Sequence, residues 1–359
     1  MQSSCSSIRK FEPIVLTCFG LWTTCELPAR GQQVPSTNTQ AIAQSSKSSE
    51  DAGMGNDMMG AAGLVPPGIM VGKAKRWMVG YQVMFDNMDG NLVGTERIED
   101  AAILGRFAAT PTDMTMQMHM GMGMYAPTDK LTLMVMVPYL RKSMNHVARD
   151  GTRFNELTSG IGDIELRSLY SLYSRKDLRH RLLLNAGIGL PTGSINKTMG
   201  GMRLEYPMQL GSGTVSLMPG FTYLGQEAPW GWGAEFIPTL RLGRNNKGYR
   251  LGNRYQPSIW GARQVTHWLS VSAGANGEIS QNIRGADAAL DPMDEPTKDP
   301  TLQGGRRLNI KLGMSLHPAE GFLKGHEFFV NANKPVLQSL DGPQLQRRWV
   351  AQLGWQWEF

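Results

Sequence analysis

Cysteine is almost absent from this sequence of 359 residues. The three cysteines, Cys5, Cys18 and Cys25, all lie in the first 25 residues, so the rest of the chain contains none. The body can therefore form neither a disulfide framework nor a cysteine metal site. A body without thiols suits the oxidising bacterial periplasm, where a stray thiol is a liability.

Charged residues and long apolar runs are also scarce. Charged residues make up 18% of the chain, against about 25% in an average soluble protein. After the N-terminus no stretch of about 18 apolar residues is free of charge, which argues against membrane-spanning helices. The net charge of +6 forms no basic stripe, so we expect no nucleic-acid partner.

Catalytic signatures are missing as well. The six histidines form no H-E-x-x-H pattern, so a zinc enzyme is not expected. No G-x-S-x-G motif marks a serine nucleophile. We therefore predict a protein that is not an enzyme and that carries no cofactor.

The end of the chain holds the most informative pattern. Residues 349–359 have an apolar side chain at every odd position, and from Gln352 on the even positions are polar or glycine. A period of two predicts a strand with one apolar face. An aromatic face opposite a polar one is typical of outer-membrane strands. We predict that Trp355, Trp357 and Phe359 form a signal for the barrel-assembly machinery.

The beginning of the chain is typical of secretion. Arg9 and Lys10 precede an apolar run over residues 14–22, which is too short to span a membrane. We therefore predict a signal peptide over residues 1–31 and a low-complexity periplasmic leader over residues 32–67. The remaining residues, 68–359, are predicted to form an outer-membrane β-barrel.

From Lys75 onward the sequence alternates between strand patterns and turn residues. The alternation predicts about twelve strands, of which the last covers residues 348–359. An even number of strands puts both chain ends on the periplasmic side, and the connections are mostly long on one side and short on the other. The expected fold is all-β, a transmembrane antiparallel up-and-down β-barrel closed by a C-terminal strand that ends in Phe359.

Three short motifs in the middle of the chain resemble a known family. They are Gly189-Leu-Pro-Thr-Gly193, Gln209-Leu-Gly-Ser-Gly-Thr214 and Pro219-Gly-Phe-Thr-Tyr-Leu-Gly225. Their order and spacing resemble the transporter family named for the phenol-degradation (meta) pathway, a family of predicted outer-membrane channels. The likeness covers about residues 68–359. It implies an outer-membrane barrel with a transport role, and it implies no particular solute.

A methionine repeat dominates the second predicted strand. One face carries Met114, Met116, Met118, Met120, Met122 and Met124, and the other face carries Gln117 and His119 beside small residues. Because the lumen face of a barrel is the polar one, we expect Gln117 and His119 to face the lumen and the methionines to face lipid. With the opposite orientation, the methionines would form a thioether path for copper(I) or silver.

Polar side chains opposite the apolar faces of other strands are the remaining lumen candidates. They are Asp163, Glu165, Arg167, Arg241, Glu278, Lys311, Gln356 and Glu358. Opposite charges can pair and stabilise the barrel, or they can set ion selectivity, and the sequence leaves both roles open.

Taken with the barrel pattern, these residues predict a porin-like channel that lies in the lipid of a bacterial outer membrane and passes small-molecule solutes. The alternative is a protein that handles copper or silver through the Met-rich strand, or one with a structural role.

Overall fold

A computed structural model describes residues 74–175, 179–318 and 320–359. The predicted signal peptide (1–31) and leader (32–67) lie outside the described residues. The described chain is mostly strand, with one short helix, α1 (Asp100–Leu104), and 3-10 turns at Tyr206–Met208, Pro296–Lys298, Pro300–Leu302 and Gly321–Leu323. Within these residues, no helix combines the length and the apolar character that crossing a membrane requires.

The described residues form eighteen strands. They are β1 (Arg76–Gly94), β2 (Glu96–Ile98), β3 (Ala109–Thr128), β4 (Leu131–Ala148), β5 (Arg153–Ile161), β6 (Ile164–Ser174), β7 (His180–Leu190), β8 (Thr198–Met199), β9 (Met202–Arg203), β10 (Ser216–Leu217), β11 (Gly220–Glu227), β12 (Trp230–Phe236), β13 (Leu240–Arg241), β14 (Arg254–Tyr255), β15 (Pro257–Thr266), β16 (Leu269–Ser280), β17 (Gly305–Leu316) and β18 (His326–Glu358).

Eleven of these strands close into one antiparallel ring. In chain order β1, β3, β4, β6, β7, β11, β12, β15, β16, β17 and β18 pair with their neighbours, and β18 returns to β1. The long β18 crosses the ring wall twice, because its first half pairs with β17 and its second half with β1. We call each crossing of the wall a stave, so β18 supplies two. Its halves also contact each other, since the Trp355 ring nitrogen donates to His326 at 2.8 Å. The predicted barrel fold is confirmed, and the ring has twelve staves.

The strands of the ring turn alternate side chains outward, as the period of two requires. On β4 the outward residues Leu133, Val135, Val137 and Tyr139 are 39–46% exposed, whereas Met134 and Met136 between them are buried. An apolar outer surface of this kind is the mark of a barrel that contacts lipid.

The wall is irregular where two prolines lie opposite each other. The pairing of β10 with β13 ends at Leu217, and the pairing of β11 with β12 starts at Phe221. Pro219 and Pro238 fall in this gap. Proline has no N–H to donate to the ladder, so two facing prolines suit such a break.

One end of the barrel is filled by long loops that fold inward. We call residues 192–215, 243–253 and 281–304 the loop plug. Met208 and Leu204 of the plug are completely or almost completely buried against inner-face residues of the wall, among them Met114 and Met144. The plug lies at the end of the ring opposite Arg76 and Phe359. Its residues Leu204 and Met208 pack against Leu345, which is paired with Asn91 near the far end of β1.

Candidate channel lumen

The methionine repeat of β3 lies on the inner face of the barrel. Met124 is only 2% exposed and packs in one cluster with the buried Met136 of β4. Met114, at the other end of the repeat, packs against Met208 of the loop plug. The expectation that this face contacts lipid is therefore wrong. The prediction was based on the polarity of the two faces of this strand alone. Which face is enclosed depends on the neighbouring strands.

Gln117 and His119 lie on the outer face, so their expected place in the lumen is also wrong. His119 is paired with Tyr139, an outward residue of β4. Its Nδ1 lies 2.6 Å from the Tyr81 hydroxyl of β1. Gln117 is two residues before His119 in the strand, so it lies on the same face. The outer face of β3 is small and polar; Val83 and Phe85 of β1 flank this stretch on one side, and Tyr139 and Arg141 of β4 flank it on the other.

The inner faces of β1, β3 and β4 are mostly apolar, and together with Leu169 of β6 they form a lining that we call the methionine wall. Its buried members are Met78, Met124, Ala126, Met134, Met136 and Leu169, and the half-buried Met120 and Met122 pack against them. The Gln82 amide donates to the Met120 sulfur at 3.5 Å. Methionine side chains are flexible and polarisable, so this wall can adapt to apolar molecules of different shape.

The opposite side of the ring is polar. We call the inner faces of β7, β11, β12 and β15 to β18 the polar wall. Its buried residues include Asn185, Thr222, Ser270, Glu278, Asn309, Glu327, Asn331 and Gln356. Hydrogen bonds run from strand to strand there: Asn185 donates to Thr222, which donates to Glu235, both at 2.9 Å. The lumen is therefore amphipathic, with one apolar and one polar side.

A buried charge network crosses the seam between the two walls. Arg347 donates to Asp86 at 3.0 Å and to Glu278 at 3.0 Å. Arg307 adds a contact of 3.7 Å to Glu278. Glu278 was predicted to lie in the lumen, whereas Asp86, Arg307 and Arg347 were missed. Their signal was present in part, since charged residues within strand patterns are rare, but their pairing depends on the ring.

Glu165, Arg167 and Arg241 lie on the inner face of the ring. Arg167 donates to one Glu165 oxygen through Nη2 at 2.7 Å and Nε at 3.1 Å. Arg241 is paired with Ser216, which is paired with Gly189, the partner of Glu165. Paired residues share a face of the sheet, so all three side chains belong to one polar patch.

Lys311, Gln356 and Glu358 also lie on the inner side of the ring. Lys311 is paired with Gly274, and Gln356 is buried and hydrogen-bonded to Glu327. Glu358 is paired with the buried Met78 of the methionine wall. Whether these residues select solutes or stabilise the barrel stays a prediction.

Asp163 holds a loop in place rather than lining an open surface. Its carboxylate accepts hydrogen bonds from the N–H of Gly193 at 3.0 Å and from the N–H and hydroxyl of Ser212 at 2.8 and 2.6 Å. A side chain on Gly193 would meet the backbone of Gly211 at 2.6 Å, so glycine is required for the two segments to touch. Two of the three sequence motifs thus meet at one carboxylate.

The loop plug closes around two tyrosines. Tyr206 and Tyr249 stack edge to face with ring centroids 4.9 Å apart. The Tyr206 hydroxyl accepts a hydrogen bond from the N–H of Asp287 at 3.0 Å. Burial raises the pKa of Tyr249 to about 12, with smaller contributions from the nearby Asp287 and Tyr206. The aromatic centre of the plug is therefore neutral at physiological pH.

The predicted assembly residues lie at the opposite end of the barrel. Trp355 and Trp357 are paired with Tyr81 and Val79 on the outer side, and the Trp355 ring nitrogen donates to His326 at 2.8 Å. Phe359 continues the ladder through two backbone hydrogen bonds to Trp77, at 2.9 and 3.0 Å. Their recognition by assembly machinery stays a prediction.

Comparison with known proteins gives structural matches. No family model matches the chain, and no curated protein matches it. The chain is similar to the COG4313 outer membrane channel from Pseudomonas putida F1, with a TM-score of 0.57 and 14% identity over 82% of this chain and 100% of that one. This similarity shows the fold, which is that of an outer-membrane β-barrel.

Other solved structures are matched more loosely. A FadL homologue of Pseudomonas aeruginosa has a TM-score of 0.40 and 11% identity, over 79% of this chain and 90% of that one. The toluene transporter TodX of P. putida has a TM-score of 0.39 and 12% identity, over 84% of this chain and 92% of that one.

Proposed function

We propose that this protein is a bacterial outer-membrane channel for small amphipathic molecules, those with an apolar body and a polar group. The observation that carries the proposal is the two-sided lumen. A solute can place its apolar part against the methionine wall and its polar group against the polar wall, so neither part is left without a suitable contact.

The location and the family belong to the same proposal. The outward apolar face and the similarity to an outer membrane channel support a place in outer-membrane lipid. The meeting of two sequence motifs at Asp163 supports membership of the transporter family named for the phenol-degradation pathway. In this proposal Trp355, Trp357 and Phe359 serve as the signal for the barrel-assembly machinery.

A flux measurement tests the proposal. The folded barrel is reconstituted into liposomes, and the entry of an uncharged aromatic alcohol is compared with that of a sugar of similar mass. We expect the barrel to increase the entry rate of both and to favour the aromatic alcohol over the preference of empty liposomes. Equal acceleration of both solutes would argue against an amphipathic path, and no acceleration of either would remove the channel function.

A second candidate function is the handling of soft metal ions. It is favoured by one observation, the enclosure of the methionine repeat, because thioether sulfur is a preferred ligand of copper(I) and silver. Silver binding by the purified barrel, measured by titration calorimetry, tests it. Absence of binding at micromolar silver would leave the methionine wall as an apolar lining alone.

A further inference from the structure

Four ionisable side chains from four separate segments converge where the loop plug meets the barrel wall. His146 lies near the end of β4 and Glu156 on the neighbouring β5, while Glu205 and Glu295 come from plug residues 192–215 and 281–304. The four segments have no common local pattern, so only the fold brings these residues together.

The cluster is buried and compact. The side chains of His146 and Glu205 are fully buried, and that of Glu295 is 5% exposed. Nε2 of His146 lies 3.7 Å from a Glu205 oxygen and 3.5 Å from a Glu295 oxygen. One ligand atom each from His146, Glu156 and Glu205 lie within 4.8 Å of one another. Ligands about 2.0–2.2 Å from a tetrahedral ion lie about 3.3–3.6 Å from one another, which is close to the two distances from His146.

The polar atoms of the cluster lack ordinary partners. Within the described parts of the chain, both oxygens of Glu205, one oxygen of Glu156 and Nε2 of His146 receive no hydrogen bond. Burying an ionised carboxylate without a partner is costly. Lys142 attracts Glu205 electrostatically, but its ammonium donates its hydrogen bonds to the carbonyls of Pro207 and Gln209 at 2.7 Å.

Among the cluster residues, Lys298 forms an ion pair with Glu295 alone. Its ammonium lies 3.7 Å from one oxygen of Glu295 and 3.3 Å from Asp294. The other oxygen of Glu295 accepts from the Thr297 hydroxyl at 3.2 Å and faces His146. Glu156 and Glu205 are therefore left facing an imidazole nitrogen.

We propose that His146, Glu156, Glu205 and Glu295 bind one divalent first-row metal ion of the Zn²⁺ type, which fastens the loop plug to the barrel wall. One imidazole and three carboxylates form a donor set that such ions accept. The imidazole disfavours Ca²⁺ and Mg²⁺, which take oxygen ligands. This site is separate from the thioether lining of the lumen and does not depend on the channel function.

The competing arrangement holds a proton in place of the ion. Burial raises the pKa of Glu205 well above its ordinary range, and the adjacent Glu156 adds to the rise. A protonated Glu205 could then donate to the Glu156 carboxylate. The two arrangements differ in whether the folded barrel takes up a metal ion.

Metal uptake by the unaltered protein is the first test. The full chain is folded in detergent, stripped with a chelator, dialysed and titrated with Zn²⁺ at micromolar concentrations. Bound metal is measured by plasma mass spectrometry. We expect one ion per chain, a higher unfolding temperature with Zn²⁺, and reversal by the chelator. A folded barrel that binds no Zn²⁺ would overturn the proposal in favour of the shared proton.

Single substitutions then locate the ion. Glu205→Gln and His146→Gln should each weaken Zn²⁺ binding by at least about tenfold, since loss of even an outer-shell partner has that effect. His317→Gln is the matched control, because His317 is also buried and beside a carboxylate, Glu327, but at the other end of the barrel. Binding that is unchanged in both cluster variants would overturn the proposal.

Folding of each variant is checked by heat-modifiable gel mobility. If Glu205→Gln and His146→Gln do not fold, Glu295→Gln provides a third variant. Limited proteolysis of the unaltered protein gives a readout that needs no substitution: removal of Zn²⁺ should expose residues 281–304 to cleavage. Cleavage at the same rate with and without Zn²⁺ would show that no ion fastens the plug.

Discussion

The two walls of the lumen are built from the same kind of antiparallel strands, but one has apolar inner side chains and the other has polar ones. The methionine wall is lined by side chains that make only weak directional contacts, so it can change shape without losing hydrogen bonds. The polar wall is joined by hydrogen bonds from strand to strand, so displacing one side chain leaves others unpaired. The difference teaches that adaptability and rigidity are divided around the circumference of one ring rather than between two domains.

Among the predictions, the largest loss of stability is expected at the seam between the two walls. Replacing Arg347 with Met would leave Asp86 and Glu278 buried without their shortest ion pair. Removal of one partner of a buried pair costs about 3–5 kcal/mol. We expect urea unfolding in lipid vesicles to report a loss of this size.

Arg348→Met is the matched control for that experiment. Arg348 contacts Asp89 at 2.9 Å, but both side chains are partly exposed to solvent, at 35% and 54%. Exposed pairs contribute about 0–1 kcal/mol. Equal losses in the two variants would mean that the seam network carries no special stability.

Two adjacent residues on opposite faces of β3 sharpen the comparison. Gly121→Lys would place a charge on the lipid side between the outward Tyr81 and Val137, at a cost of about 2–4 kcal/mol near the middle of the bilayer. Met120→Lys would place the same charge in the lumen. We expect the first to reduce the folded, inserted fraction and the second to change conductance or solute preference with better insertion. The reverse result would contradict the orientation of β3.

The smallest effect is expected from substitutions within the methionine wall. Met118→Leu with Met120→Leu keeps apolar volume, and such exchanges cost less than about 1.5 kcal/mol each. Folding and flux of the aromatic alcohol should be nearly unchanged, whereas any silver binding should fall. A large loss of flux without loss of folding would show that thioether sulfur itself acts on the solute.

The sequence was sufficient to predict a strand wherever the alternation of apolar and polar residues lies within that strand. The alternation over residues 349–359 predicts the final stave, and turn residues predict the twelve-stave count. The orientation of β3 could not be read from Met114 to Met124 alone, because a period of two defines two faces without saying which is enclosed. The outward tyrosines of β1 and β4, Tyr81 and Tyr139, decide it.

Contacts between distant segments were beyond reach of the sequence. Asp86 and Arg347 are 261 residues apart, and a local pattern contains no information on their pairing. The same applies to the inward folding of the loop plug, since His146 on β4 and Glu295 in plug residues 281–304 belong to separate segments with no shared local pattern. Glu278 and Arg167 could be predicted as inward residues because the period of their own strands shows it, but their partners could not.

The pairing of Trp77 with Phe359 at the closing seam has a consequence for timing. The first strand of the ring finds its second neighbour only when the last residues of the chain arrive, and contacts this distant in sequence form slowly. Until then β1 has an unpaired edge, which is a template for aggregation. We therefore expect such a chain to need protection against aggregation from the time β1 is made until Phe359 is paired with it.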